Sequence, residues 1–143
     1  MARHFIHATP KVARDAMAIV AALHDVPVVT LHMQDSRRSG ARLRSMVVGL
    51  LDGFAPALST ITIGRILGRD HSTVSALLGR YRELLSRVDY LDKVDLAREA
   101  MIALGHEWHG PTARGMDMDR RRTGVCRRWN ERYASPARQR AAA

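Results

Sequence analysis

Apolar residues recur along this chain at intervals of three and four, and Gly, Pro and short polar residues interrupt the recurrences. Thr9 can cap a first helix and Pro10 suits its first position. Val12, Ala13, Ala16, Met17, Val20 and Leu23 then follow at helical spacing up to Pro27. Val28 to Met33 has the local propensity of a strand, but no second strand follows to pair with it, so a short helix is expected. Residues 34–41 read as a polar, basic loop. The clearest amphipathic pattern is Leu43, Met46, Val47, Leu50, Leu51 and Phe54, one face of a helix. Gly53 is a plausible stop for it, and Pro56 forbids continuation.

Two short-range signals come next. Ser59 or Thr60 caps a helix whose inner face is Ile63, Ile66 and Leu67, closed by Gly68. Asp70 is a strong N-cap for the following helix, which carries Val74, Leu77, Leu78, Tyr81, Leu84 and Leu85. Helices over about 60–67 and 71–86 are thus joined by the tight turn Gly68-Arg69-Asp70, the arrangement of a helix-turn-helix. A last helix runs from about Tyr90 to Leu104, with Leu91, Val94, Ala97, Met101 and Leu104 inward, and Gly105 ends it. Beyond that the periodicity is lost.

In a helix-turn-helix the second helix enters the major groove and its first turn meets base edges. Here that turn is His71-Ser72-Thr73, three short polar side chains able to donate or accept, and the threonine methyl can also meet a thymine methyl. Charge points the same way. The net charge is +9, and 21 of the 23 basic residues are arginine, the residue suited to bidentate contact with phosphate and base edges. Arg37, Arg38, Arg42 and Arg44 cluster without an acid between Ser36 and Leu51, and Arg69 stands just before the second helix.

The run I63-G-R-I-L-G-R-D-H-S-T-V74 resembles the signature of the DNA-binding domain of bacterial DnaA, the chromosomal replication initiator. That signature ends in R-D-H-[ST]-T-V after an I-G-x-x-[FL]-G helix. Ser36-Arg37-Arg38-Ser39-Gly40-Ala41-Arg42-Leu43-Arg44-Ser45-Met46 is similar to the basic loop that leads into the family's long central helix. The likeness covers about residues 12–104. It implies an all-α, Trp-repressor-like helical domain that binds double-stranded DNA sequence-specifically. Asp70, His71 and Ser72 would read bases in the major groove, and Thr73 would contact a phosphate or a base. Arg38, with Arg37, would enter the minor groove, and Arg44 would hold backbone phosphate. The chain departs from the family pattern in having one Gly before Arg69 rather than two. Thr60-Ile61 stands where the family has Leu-Pro, Ser36 where it has a basic residue, and Leu43 where it has a Pro. The ATPase domain and its phosphate loop have no counterpart here.

The expected organisation is an N-terminal arm (1–8), a helical domain (9–105) and a basic extension (106–143). The extension holds nine arginines against four acids, and Val125–Tyr133 within it can be helical. Its tryptophans, Trp108 and Trp129, can pack back on the domain or engage a partner. An adaptor for protein or RNA, working through this segment, is the alternative function. Several classes are not expected. One cysteine, Cys126, excludes an intrachain disulfide and suggests a reducing compartment. No apolar run is long enough for a bilayer, and the N-terminus lacks the apolar centre of a signal peptide. No nucleophile–base pair, paired carboxylate, metal-site pattern or cofactor motif is present, so neither enzyme, metal nor cofactor is expected. A cytoplasmic, nucleoid-associated regulator of transcription or replication is the resulting expectation.

Overall fold

A computed structural model describes residues 9–33 and 38–112. Its helices are α1 (Lys11–Leu23), α2 (Arg38–Phe54), α3 (Thr60–Leu67), α4 (His71–Leu84) and α5 (Val88–Ala103), with a 3-10 helix at Val28–His32 between the first two. Among the described residues there is no strand, and the all-α expectation holds.

α2 is the centre of the molecule. It packs most extensively on α4 and then on α1, while α1 also packs on α5. From Leu43 to Phe54 the helix is covered on every side: the expected stripe of Leu43, Met46, Val47, Leu50, Leu51 and Phe54 is buried, and so are Val48, Arg44, Ser45 and Asp52. Buried polar groups must find partners. The Ser45 hydroxyl donates to the Ala41 carbonyl at 2.7 Å. Asp52 accepts two bonds from Thr112, from its N–H at 3.1 Å and its hydroxyl at 2.6 Å, and faces Arg82 at 4.0 Å. Gly49 and Gly53 have a packing reason: a Cβ at either would overlap an aromatic ring, Tyr81 at the first and Trp108 at the second.

Boundaries differ from the sequence reading in ways that sterics explain. Pro10 is the N-cap of α1, not its first residue; its extended backbone (φ −61°, ψ 150°) presents its carbonyl to the N–H groups of Ala13 and Arg14. α1 ends where Asp25 turns left-handed (φ 54°) and the Val26 N–H reaches back to the Ala21 carbonyl at 3.0 Å. Val28–His32 is helical, of the tighter 3-10 kind, with Leu31 buried and Val29 exposed. α2 begins at Arg38 and so takes up part of the expected 34–41 loop; residues 34–37 lie outside the described residues. Gly53 sits inside α2, which runs on to Phe54 just ahead of Pro56. α5 starts two residues early and buries Tyr90, whereas Leu104 is left exposed at the helix end.

The largest difference is after Gly105. Residues 106–112 do not leave the domain but strap across it. The His106 ring lies 2.7 Å from Asp15, the His109 N–H donates to the Gly53 carbonyl at 2.9 Å, and Thr112 is held by Asp52. Lys11 and then His106, both bonded to Asp15, keep its carboxyl below the ordinary range. Trp108 is buried edge-on against Phe54, with ring centroids 4.9 Å apart, and the Arg98 guanidinium lies over its face. An indole buried this deeply supplies the covering area that the 9–105 segment lacks. The rest of the expected extension, 113–143, lies outside the described residues.

Candidate nucleic-acid interface

The turn between α3 and α4 follows from four residues. Ser59 caps α3 by accepting from the Thr62 N–H at 3.1 Å. α3 ends in a Schellman arrangement: the Arg69 N–H bonds the Gly64 carbonyl at 2.7 Å and the Gly68 N–H bonds the Arg65 carbonyl at 3.4 Å. Gly68 is left-handed (φ 67°, ψ 35°), a conformation that glycine adopts without steric cost. Gly64 is required for a different reason, since a Cβ there would run into the Arg69 carbonyl oxygen. Asp70 then caps α4: its Oδ1 accepts from the Thr73 N–H at 2.7 Å and from the Ser72 hydroxyl at 2.9 Å. The Thr73 N–H above all, then the Thr73 and Ser72 hydroxyls, pull the Asp70 carboxyl down to about 2.

This geometry decides what the turn can offer a ligand. Asp70, His71 and Ser72 are exposed and Thr73 is half-buried. With its proton committed to Asp70, the Ser72 oxygen faces outward as an acceptor, as does the carboxylate. Such acceptors match exocyclic amines, the groups that adenine and cytosine present in the major groove. The His71 ring can donate or accept. Behind this first turn the outward face of α4 is smooth: Ser75 and Ala76 are exposed, and a Cβ added at Gly79 would meet nothing within 4 Å. The Ser75 hydroxyl is folded back onto the His71 carbonyl at 3.1 Å. From Ser72 to Gly79 no bulky side chain stands on this face; the first is Glu83, exposed on the last turn. The sequence reading missed this face, although Ser72, Ser75, Ala76 and Gly79 stand at i, i+3, i+4 and i+7 and could have revealed it.

The arginines are placed less uniformly than expected. Arg44 is only 4% exposed and donates to the Met33 carbonyl at 3.4 Å. The family likeness implies a phosphate contact for Arg44, whereas here the side chain is covered and turned to a backbone carbonyl. Arg69, half-buried, also donates to the Met33 carbonyl. The two side chains therefore grip one backbone oxygen and fix Met33 beside the α3–α4 turn. Arg42 reaches the other way, to Asp89 at 3.5 Å and over the Tyr90 ring. Arg37 and the Arg38 side chain lie outside the described residues. Arg65, which sequence reasoning did not single out, is exposed on the last turn of α3. Its position between the inward Ile63 and Ile66 is the signal that could have found it.

A scan against protein-family models matches none, and no curated protein matches the chain. Among the described residues no three His, Cys, Asp or Glu side chains gather as they would around a metal ion, and no helix is long and apolar enough to cross a membrane.

Proposed function

We propose that this protein binds double-stranded DNA sequence-specifically, with α3 and α4 acting as a helix-turn-helix, at sites like the boxes bound by DnaA-type replication initiators, as a regulator of transcription or replication. The observation that carries the reading is the first turn of α4: Ser72 and Thr73 are bonded to the Asp70 cap, Asp70, His71 and Ser72 are exposed, and small residues follow on the same face as far as Gly79. The likeness of Ile63–Val74 to the DnaA signature supports it, and Arg69 of the turn holds the Met33 carbonyl at the same edge.

In this reading His71, Ser72 and Asp70 discriminate bases, each good contact being worth about 1–3 kcal/mol. Arg65, Arg37 and Arg38 contribute phosphate attraction, which is sequence-independent and falls with salt, with a slope near −0.9 per phosphate neutralised. Arg44 and Arg69 act through Met33 as positioning residues. The adaptor alternative loses one of its two tryptophans, because Trp108 is taken into the fold.

Selection of bound duplexes from a random pool tests the proposal. A recovered common site, lost in His71→Ala with Arg38→Ala, supports it. An unenriched pool, or a double variant with unchanged affinity and specificity, overturns it.

A further inference from the structure

α5 has an outer face that nothing in the described residues covers. Val88, Leu96 and Ile102 are 74%, 53% and 46% exposed, and they project on one side of the helix with Asp92 and Glu99 between them. Over 14 residues that stripe is about 21 Å long. It is acidic and apolar on a chain whose net charge is +9.

Charge selects the occupant. A second copy meeting this face through its own α5 would set acid against acid, and a nucleic acid would be repelled outright. A basic, apolar partner fits, and the chain carries one. Residues 113–143 hold nine arginines against three acids, and Val125, Trp129 and Tyr133 recur there every four residues with Arg128 and Arg132 beside them. At i, i+4 and i+8 these three fall on one face of a helix. The twelve residues between Thr112 and Val125 can span on the order of 40 Å. The body of a domain this size has a radius of gyration of only about 13 Å, so the face is within reach. Tethering also raises the local concentration to the millimolar range, far above any second chain in dilute solution.

We infer that the chain's own segment around Val125–Tyr133 docks on the outer face of α5, its apolar residues on Val88, Leu96 and Ile102 and its arginines on Asp92 and Glu99. The docked state holds in check the arginines that would otherwise add nonspecific attraction to polyanions, and added salt weakens it.

Cys126 is the chain's only cysteine, so a nitroxide placed there in the full-length protein reports where the segment sits. Amide signals of Val88, Leu96 and Ile102 should broaden selectively. Asp92→Lys with Glu99→Lys should abolish the broadening, and adding Arg128→Glu with Arg132→Glu should restore it. Asp92 and Glu99 are exposed on α5, so reversing their charges retains the helical fold. Hydrogen exchange of the α5 amides in unlabelled full-length protein should follow the same pattern, which removes any effect of the label. Broadening spread over the surface, broadening centred elsewhere, or insensitivity to both charge reversals overturns the inference. So does broadening that arises only between differently labelled chains in a mixture, which would assign the face to a second copy.

Discussion

α2 and α4 lie side by side, and the two ends of the pair are finished in opposite ways. At the C-terminal end Asp52, Arg82 and Thr112 satisfy one another in the interior, and Trp108 closes the gap over Phe54. At the N-terminal end Asp70, His71 and Ser72 stand in solvent, with two arginines drawn inward to hold the Met33 carbonyl. The closed end spends its charges on itself. The open end keeps Arg44 and Arg69 occupied with the backbone and shows the outside Asp70, His71 and Ser72, with Arg65 exposed on the neighbouring helix. A surplus of arginine in the composition therefore does not amount to an arginine surface; burial decides which side chains remain available.

That contrast can be attacked from its strongest point downward. Asp52→Ala strips Arg82 of its carboxylate and Thr112 of two bonds, and should lower the unfolding free energy by about 3–5 kcal/mol. A urea melt showing a loss below about 1 kcal/mol would mean that the C-terminal end is not closed in this way. Trp108→Ala should cost about 3–5 kcal/mol by leaving a cavity over Phe54, measured by the same melt. At the open end Gly64→Ala forces the α3–α4 turn apart and should cost about 1–3 kcal/mol, with the chemical-shift changes confined to residues near Arg69. His71→Ala is the opposite case. It should leave the melt within about 0.5 kcal/mol, as a surface substitution does, while flattening any preference among duplex sequences.

The smallest effect is a pH dependence. Because its folded value is depressed from 3.8 to about 2, the Asp70 carboxylate contributes stability that is complete above pH 3.8 and is lost as the pH falls through 2. Carboxyl carbon shifts should give a midpoint near 2. Asp70→Asn, which can still cap, should remove that part of the acid sensitivity; a midpoint near 3.8 would show that the cap does not hold in solution.

Much of the helical framework was legible because periodicity reports burial directly. The stripes at 43–54 and 74–85 are buried to the last residue, and Asp70 caps α4 as its residue type and place suggest. What stayed hidden depends on contacts between segments distant in sequence. Nothing local marks Trp108 as core, since its neighbours His106, Glu107 and His109 have no apolar period, and it is buried only because Gly53 leaves room for its ring. Gly53 looked like a stop signal for the same reason: without the partner, a glycine near a helix end reads as a terminator. Arg44 looked like a surface cation because a buried guanidinium needs an acceptor, and its acceptor at Met33 is a backbone carbonyl that no side-chain pattern encodes.

That carbonyl has a consequence for how the protein can vary. The grip of Arg44 and Arg69 takes hold of an atom that every amino acid possesses, so it is blind to the identity of residue 33, whose side chain is 48% exposed. A saturation library should accept a broad alphabet at position 33 and a narrow one at 44 and 69, where even lysine gives up the guanidinium fork. The side chain at position 33 can thus be rewritten while its carbonyl stays fixed beside the turn.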